Sequence, residues 1–86
     1  MYSLFRKRDN AGNEGDNSIV FWKENESIEI LENSKPIIGK QIYVADSLSS
    51  ILTSFWVTTV VTEILEESEN YCLFKTTNSI YEWKRY

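Results

Sequence analysis

Eighty-six residues, 26% of them charged and 14% aromatic, with one cysteine, no histidine and a formal net charge of −4, describe a single small acidic domain. Without histidine there is no Ser-His or Cys-His nucleophile pair and no usual general base or metal ligand, so enzyme chemistry and a bound cofactor are not expected. No apolar run approaches the roughly 18 residues of a membrane-spanning helix, the opening YSLFRKR puts its charges after its apolar residues, and Cys72 has no internal disulfide partner; the expected compartment is the reducing cytoplasm.

In chain order, residues 2–8 (YSLFRKR) have the content of a short strand. Residues 9–17 (DNAGNEGDN) hold two of the three glycines and three asparagines, residues that tolerate positive φ, and read as a loop. Residues 18–23 (SIVFWK) form a stronger strand. The first seventeen residues are therefore expected either as part of a hairpin pairing 2–8 with 18–23 or as a mobile arm. Residues 27–32 (SIEILE) begin by alternating apolar with acidic, the period of a half-buried strand, and Pro36 ends that run. Residues 39–44 (GKQIYV) are the next strand. The serine-rich connection 45–53 carries Leu48, Ile51 and Leu52 at spacings of three and four, enough for one turn of helix.

The last third is the most informative. Residues 55–65 (FWVTTVVTEIL), 71–76 (YCLFKT) and 80–83 (IYEW) are rich in aromatic and β-branched side chains, and polar turns at 66–70 and 77–79 join them into three consecutive strands. Asn78 is expected to take the left-handed position of the second turn. The fold class is all-β, as a small SH3-like barrel of about five strands with an N-terminal hairpin or arm; a flat meander is the alternative. The barrel is preferred because residues 55–65 are apolar on both parities, as a strongly curved strand shared between two sheets would be.

Trp56, Val60, Leu73, Phe74 and Ile80 are expected in the core, with Cys72 as a small buried side chain. Alternation puts Tyr81, Trp83 and Arg85 on one face of the last strand and Ile80, Glu82 and Lys84 on the other. A domain this small needs its tryptophans inside, so the aromatic face is assigned to the core. Exposed together with Trp56 and Tyr43, it would instead rim a peptide-binding or base-stacking groove.

Charge is unevenly distributed. Residues 9–35 hold seven acidic residues against two lysines, and Glu63, Glu66, Glu67 and Glu69 form a second acidic group. A duplex binder needs the reverse, a basic stripe. The candidate partner-binding residues are therefore Glu24, Glu26, Glu29, Glu32, Glu63, Glu66, Glu67 and Glu69, read as solvated carboxylates facing a basic protein surface. The spacing of Asp9, Asn13 and Asp16 lacks the order and closing glutamate of a calcium loop and reads as a loop tip. Gly12-x-x-Gly15 lacks the strand-to-helix setting of a phosphate loop.

The segment Trp56-Val57-Thr58-Thr59-Val60-Val61, followed by Phe74-Lys75-Thr76-Thr77-Asn78-Ser79-Ile80-Tyr81, resembles a pattern in short uncharacterised β-barrel proteins of bacteria, phages and mobile elements. It covers residues 54–83 and implies a hairpin; it carries no site residues. A small, acidic, histidine-free domain has little room for catalysis but ample surface for occlusion, so the expected function is that of a non-enzymatic binding protein of a phage or mobile element that occludes a host defence protein such as a CRISPR effector, with no duplex or membrane partner. One alternative is a homo-oligomeric sponge for a nucleotide-like ligand, with Arg6, Lys7, Arg8, Lys84 or Arg85 on its phosphates. A plain structural module is the other.

Overall fold

A computed structural model describes residues 1–45 and 58–86. The helical turn expected over Leu48, Ile51 and Leu52, the start of the strand expected at 55–65, and Trp56 lie outside them. Among the described residues the chain is all-β, with eight strands and no helix: β1 (Tyr2–Arg6), β2 (Gly12–Gly15), β3 (Asn17–Glu24), β4 (Ser27–Glu32), β5 (Gln41–Ala45), β6 (Val61–Ser68), β7 (Tyr71–Thr76) and β8 (Ile80–Arg85). They make a five-stranded sheet in the order β2-β1-β8-β7-β6 and a three-stranded sheet in the order β4-β3-β5, antiparallel throughout.

Two chain segments pass from one sheet to the other. β2 continues through Asp16 into β3. Residues 58–61 first bond alongside β5 and its approach, Thr58 N–H to the Ile42 carbonyl at 3.2 Å and Val61 N–H to that of Lys40 at 2.9 Å, before the chain runs on as β6 beside β7. Apolar residues on both parities suit such a segment, which faces different layers along its length.

The core fills the space between the sheets. Tyr2 and Leu4 of β1, Cys72 and Phe74 of β7, Tyr81 and Trp83 of β8 and Val61 of β6 pack with Val20 of β3 and Ile42 and Val44 of β5. Leu4, Trp83 and Cys72 are successive register partners across three strands, and the Phe74 and Tyr81 rings stack 5.5 Å apart. The aromatic face of β8 is thus the core face. Buried Trp83 donates from Nε1 to Ser18 Oγ at 2.9 Å, and that hydroxyl donates to the Ser34 carbonyl at 2.7 Å, so both polar groups are satisfied. A second cluster of Ile19, Tyr43 and Ala45, with Phe21 packed on it, lies apart from this core.

Several expectations change. The N-terminus is no arm: Tyr2, Ser3 and Leu4 are buried, and β1 pairs with β2 and β8 rather than with residues 18–23. Val60 and Ile80 are exposed, and Leu73 is half-buried on the outer face opposite Glu82; one position along, Val61, Tyr81 and Phe74 are the buried members, since a strand turns successive side chains to opposite faces. β4 is a strand as its alternation predicts, yet all six of its residues are exposed. Tyr43 is buried and rims no groove. Asn78 does not take a left-handed conformation; Thr76 Oγ1 holds that turn by accepting the Asn78 and Ser79 N–H groups at 3.4 and 3.3 Å. The left-handed non-glycine positions among the described residues are Asn10, Asn25 and Asn33, each at a bend, where a short amide side chain tolerates positive φ.

Candidate functional site

The first acidic group sits on the β3–β4 hairpin. Its two-residue connection, Asn25 and Glu26, is made possible by Asn25 at φ 56, and Ser27 Oγ steadies it by donating to the Glu24 carbonyl at 3.2 Å. Six consecutive residue pairs, from Glu24↔Ser27 to Ile19↔Glu32, hold β4 to β3 without interruption. Glu29 lies opposite Trp22, whose indole N–H donates to Glu24 Oε2 at 3.3 Å while Lys40 Nζ sits 3.8 Å over the ring. β4 is the last strand of its sheet, and among the described residues its far side has no strand neighbour. Ile28, Ile30 and Leu31 are 60%, 49% and 44% exposed, an unusual concentration of apolar surface beside Glu26, Glu29 and Glu32.

The second acidic group lies on β6, the edge of the other sheet. Register shifts between Val61 and Glu63 and between Ile64 and Glu66 leave Thr62 and Leu65 without opposite residues on β7, so the strand is bulged twice. Glu63 and Glu66 lie opposite Lys75 and Leu73. Glu67 forms an ion pair with Lys35 at 3.9 Å, and the same ammonium donates to the Ser68 carbonyl at 2.6 Å. Glu69 stands in the following turn, its carbonyl taken by Arg85. The eight glutamates thus form two separate edges. Lys35, three residues beyond Glu32, ties the end of one to the end of the other.

The cations proposed for a phosphate ligand are divided among other duties. Arg6 pairs with Asp9 at 2.6 Å, and that guanidinium, with the Ala11 N–H, holds the Asp9 carboxyl down at about 2. Arg85 bonds Asn70 and Glu69, and Lys84 lies 3.5 Å from Glu82. Lys7, itself 3.8 Å from Glu82, and Arg8 line a shallow groove of about 500 Å³ with Lys75, Ile80 and the 77–79 turn. Asp9 and Asn13 diverge, since Asn13 donates to the Val44 carbonyl, and among the described residues no three His, Cys, Asp or Glu side chains could hold a metal ion.

Sequence reasoning missed one polar cluster on the outer face of the five-stranded sheet. Glu82 accepts the Tyr71 hydroxyl at 2.9 Å and stands between Lys84 and Lys7 at 3.5 and 3.8 Å. Partial burial pulls the Glu82 carboxyl upward, but the phenol and the two ammonium groups outweigh it and leave it low. Burial and the neighbouring carboxylate push the Tyr71 phenol to about 12. Alternation on β8 gives the face of Glu82 and Lys84 but not the neighbour strand. Cys72 is fully buried, and its thiol is pushed up to about 11, chiefly by burial, which leaves little thiolate for nucleophilic work near neutrality. Comparison with known proteins finds no matching family model, curated protein or solved structure.

Proposed function

We propose that the chain is a non-enzymatic protein-binding module that docks its acidic edges, β4 foremost, on a basic surface of a partner. The observation that carries this reading is the exposure of every residue of β4: three large apolar side chains and two carboxylates share one strand at the end of a sheet. Apolar side chains of this size at solvent favour a covering partner, and the glutamates select one that is positively charged. We read the two sheets as a small barrel of the SH3-like kind, closed through Asp16 and residues 58–61. A nucleic-acid channel in a host defence protein such as a CRISPR effector is one surface with the required charge, and occlusion of it is the corresponding mode of action.

The test is recovery of a partner from host lysate by the wild-type chain and by a variant with Glu24, Glu26, Glu29 and Glu32 changed to Gln. A basic partner retained by the first and lost by the second supports the reading. Equal recovery by both, undiminished by salt, overturns it. A second reading has one observation in its favour, the convergence of Lys7, Arg8 and Lys75 on a groove. An anionic small ligand held there would be lost in a Lys7→Ala, Arg8→Ala variant and kept by the glutamine variant.

A further inference from the structure

We propose that β4 receives an extended, lysine- or arginine-bearing segment of the partner as an added strand, so that the three-stranded sheet becomes four-stranded; this rests on the reading of β4 as a docking edge. The main chain gives the first argument. Glu24 and Ser27 are separated by two residues, so they can pair only by exchanging both of their hydrogen bonds, and bonded and non-bonded pairs then alternate along the ladder. Ser27, Glu29 and Leu31 therefore turn their N–H and C=O groups to β3, and Ile28, Ile30 and Glu32 turn theirs to the open side.

The other sheet edges differ. β5 has residues 58–61 bonded along its free side, β2 lies against β5 through the Asn13 amide on the Val44 carbonyl, and β6 is bulged twice and tied at its end by Lys35. Bulges and covering contacts are how proteins blunt an edge, and among the described residues β4 has neither.

Side chains select the occupant. Ile28 and Ile30 share the face of Phe21, so an added strand needs β-branched or other apolar residues opposite them, whereas Glu29 on the other face takes a lysine or arginine. Glu24, Glu26, Glu29 and Glu32 stand against Lys23 of the hairpin and Lys40 over the Trp22 ring, which leaves the carboxylates in excess. A second copy would bring the same carboxylates to the same edge, and like charges across a ladder are unfavourable. Charge complementarity thus favours a basic strand over self-pairing.

The probe is the peptide Thr-Lys-Val-Lys-Val-Lys-Thr at about 1 mM, a regime in which main-chain bonds with little side-chain specificity suffice for detectable binding. The readout is amide hydrogen exchange and chemical shift in the isotope-labelled full chain. Exchange at Ile28, Ile30 and Glu32 should slow in proportion to occupancy, about twofold for a Kd of about 1 mM and about tenfold for about 0.1 mM, while Ser27, Glu29 and Leu31, already bonded to β3, change little. A peptide with Glu in place of Lys should give no protection. Ile30→Pro removes an outward N–H without breaking the ladder to β3 and should abolish the effect. Ile30→Lys keeps the backbone intact and should weaken the same peptide about tenfold, so the edge can be tested even if the proline variant misfolds.

Absence of protection at β4, protection at β6 or the Lys7 groove instead, or a free protein that sediments as a dimer dissolved by Ile30→Pro would each overturn the proposal. If a lysate partner is lost by the glutamine variant yet kept by a folded Ile30→Pro chain, acidic docking stands and strand addition fails.

Discussion

Trp83 shows how one side chain couples the two sheets. Its ring is fully buried in the main core, Leu4 and Cys72 flank it in register, and its N–H reaches Ser18 on the facing sheet. Trp83→Ala removes both ring and donor and should cost about 3–5 kcal/mol, whereas Trp83→Phe keeps most of the packing and should cost about 1–3 kcal/mol. Ile80→Ala, on the exposed outer face, should stay within about 1 kcal/mol. Urea midpoints at unchanged slope measure all three, and an Ile80 effect as large as that of Trp83 would contradict the assignment of faces. The outer face has its own signature in pH. Tyr71 is raised from 10.0 to about 12, so the fold favours the neutral phenol; that contribution is complete below pH 10 and is lost as pH rises from 10 towards 12. Glu82 is lowered, so its contribution is present above the ordinary carboxylate range and is lost as pH falls through its folded value. Tyr71→Phe should flatten the alkaline decline relative to wild type, measured by unfolding at pH 9 and at pH 11.

At the scale of elements, the β1–β2 hairpin depends on a residue without a side chain. A Cβ built on Gly12 would fall far inside van der Waals contact with the Leu4 carbonyl oxygen and lie 2.7 Å from Phe5 Cα, both main-chain atoms that cannot swing aside. Gly12→Ala should therefore destabilise by several kcal/mol or displace β2, seen as lost amide protection at Tyr2–Arg6; Gly39→Ala, with open space but φ +90, should cost about 1 kcal/mol. Here too lies the limit of what the amino-acid order reveals. The aromatic and β-branched runs at β3, β5, β7 and β8 announce themselves because local propensity and tertiary environment agree. Gly12-Asn13-Glu14-Gly15 has no strand propensity and is a strand only because β1 lies beside it. The alternation in β4 predicts a strand but not its exposure, because an uncovered face depends on which strand is last in the sheet, a non-local fact. The same holds for the candidate site: eight glutamates are legible as charge, while their division between one open edge and one bulged edge is set by sheet order.

For the whole molecule, the consequence is that the two acidic edges should not act equally on a partner. The β3–β4 hairpin presents four carboxylates against Lys23 and against Lys40 over the Trp22 ring, whereas beside β6 Lys35 pairs with Glu67, Lys75 faces Glu63 across the ladder and Arg85 bonds the Glu69 carbonyl. Long-range attraction follows uncompensated charge and is screened over about 10 Å at 0.1 M salt, so it acts mainly on the rate of encounter. Changing Glu24, Glu26, Glu29 and Glu32 to Gln should slow association with a basic partner and flatten its salt dependence more than changing Glu63, Glu66, Glu67 and Glu69. The control for the opposite charge is Lys7→Ala with Arg8→Ala, because deleting residues 1–8 would remove β1 from between β2 and β8 and Leu4 from the core. Stopped-flow or surface-binding on-rates at two salt concentrations, with far-UV spectra confirming that each variant folds, decide the matter. A β6 variant that associates more slowly than the β4 variant would move the docking face to the bulged edge, and a Lys7, Arg8 variant slower than both would place binding in the basic groove instead.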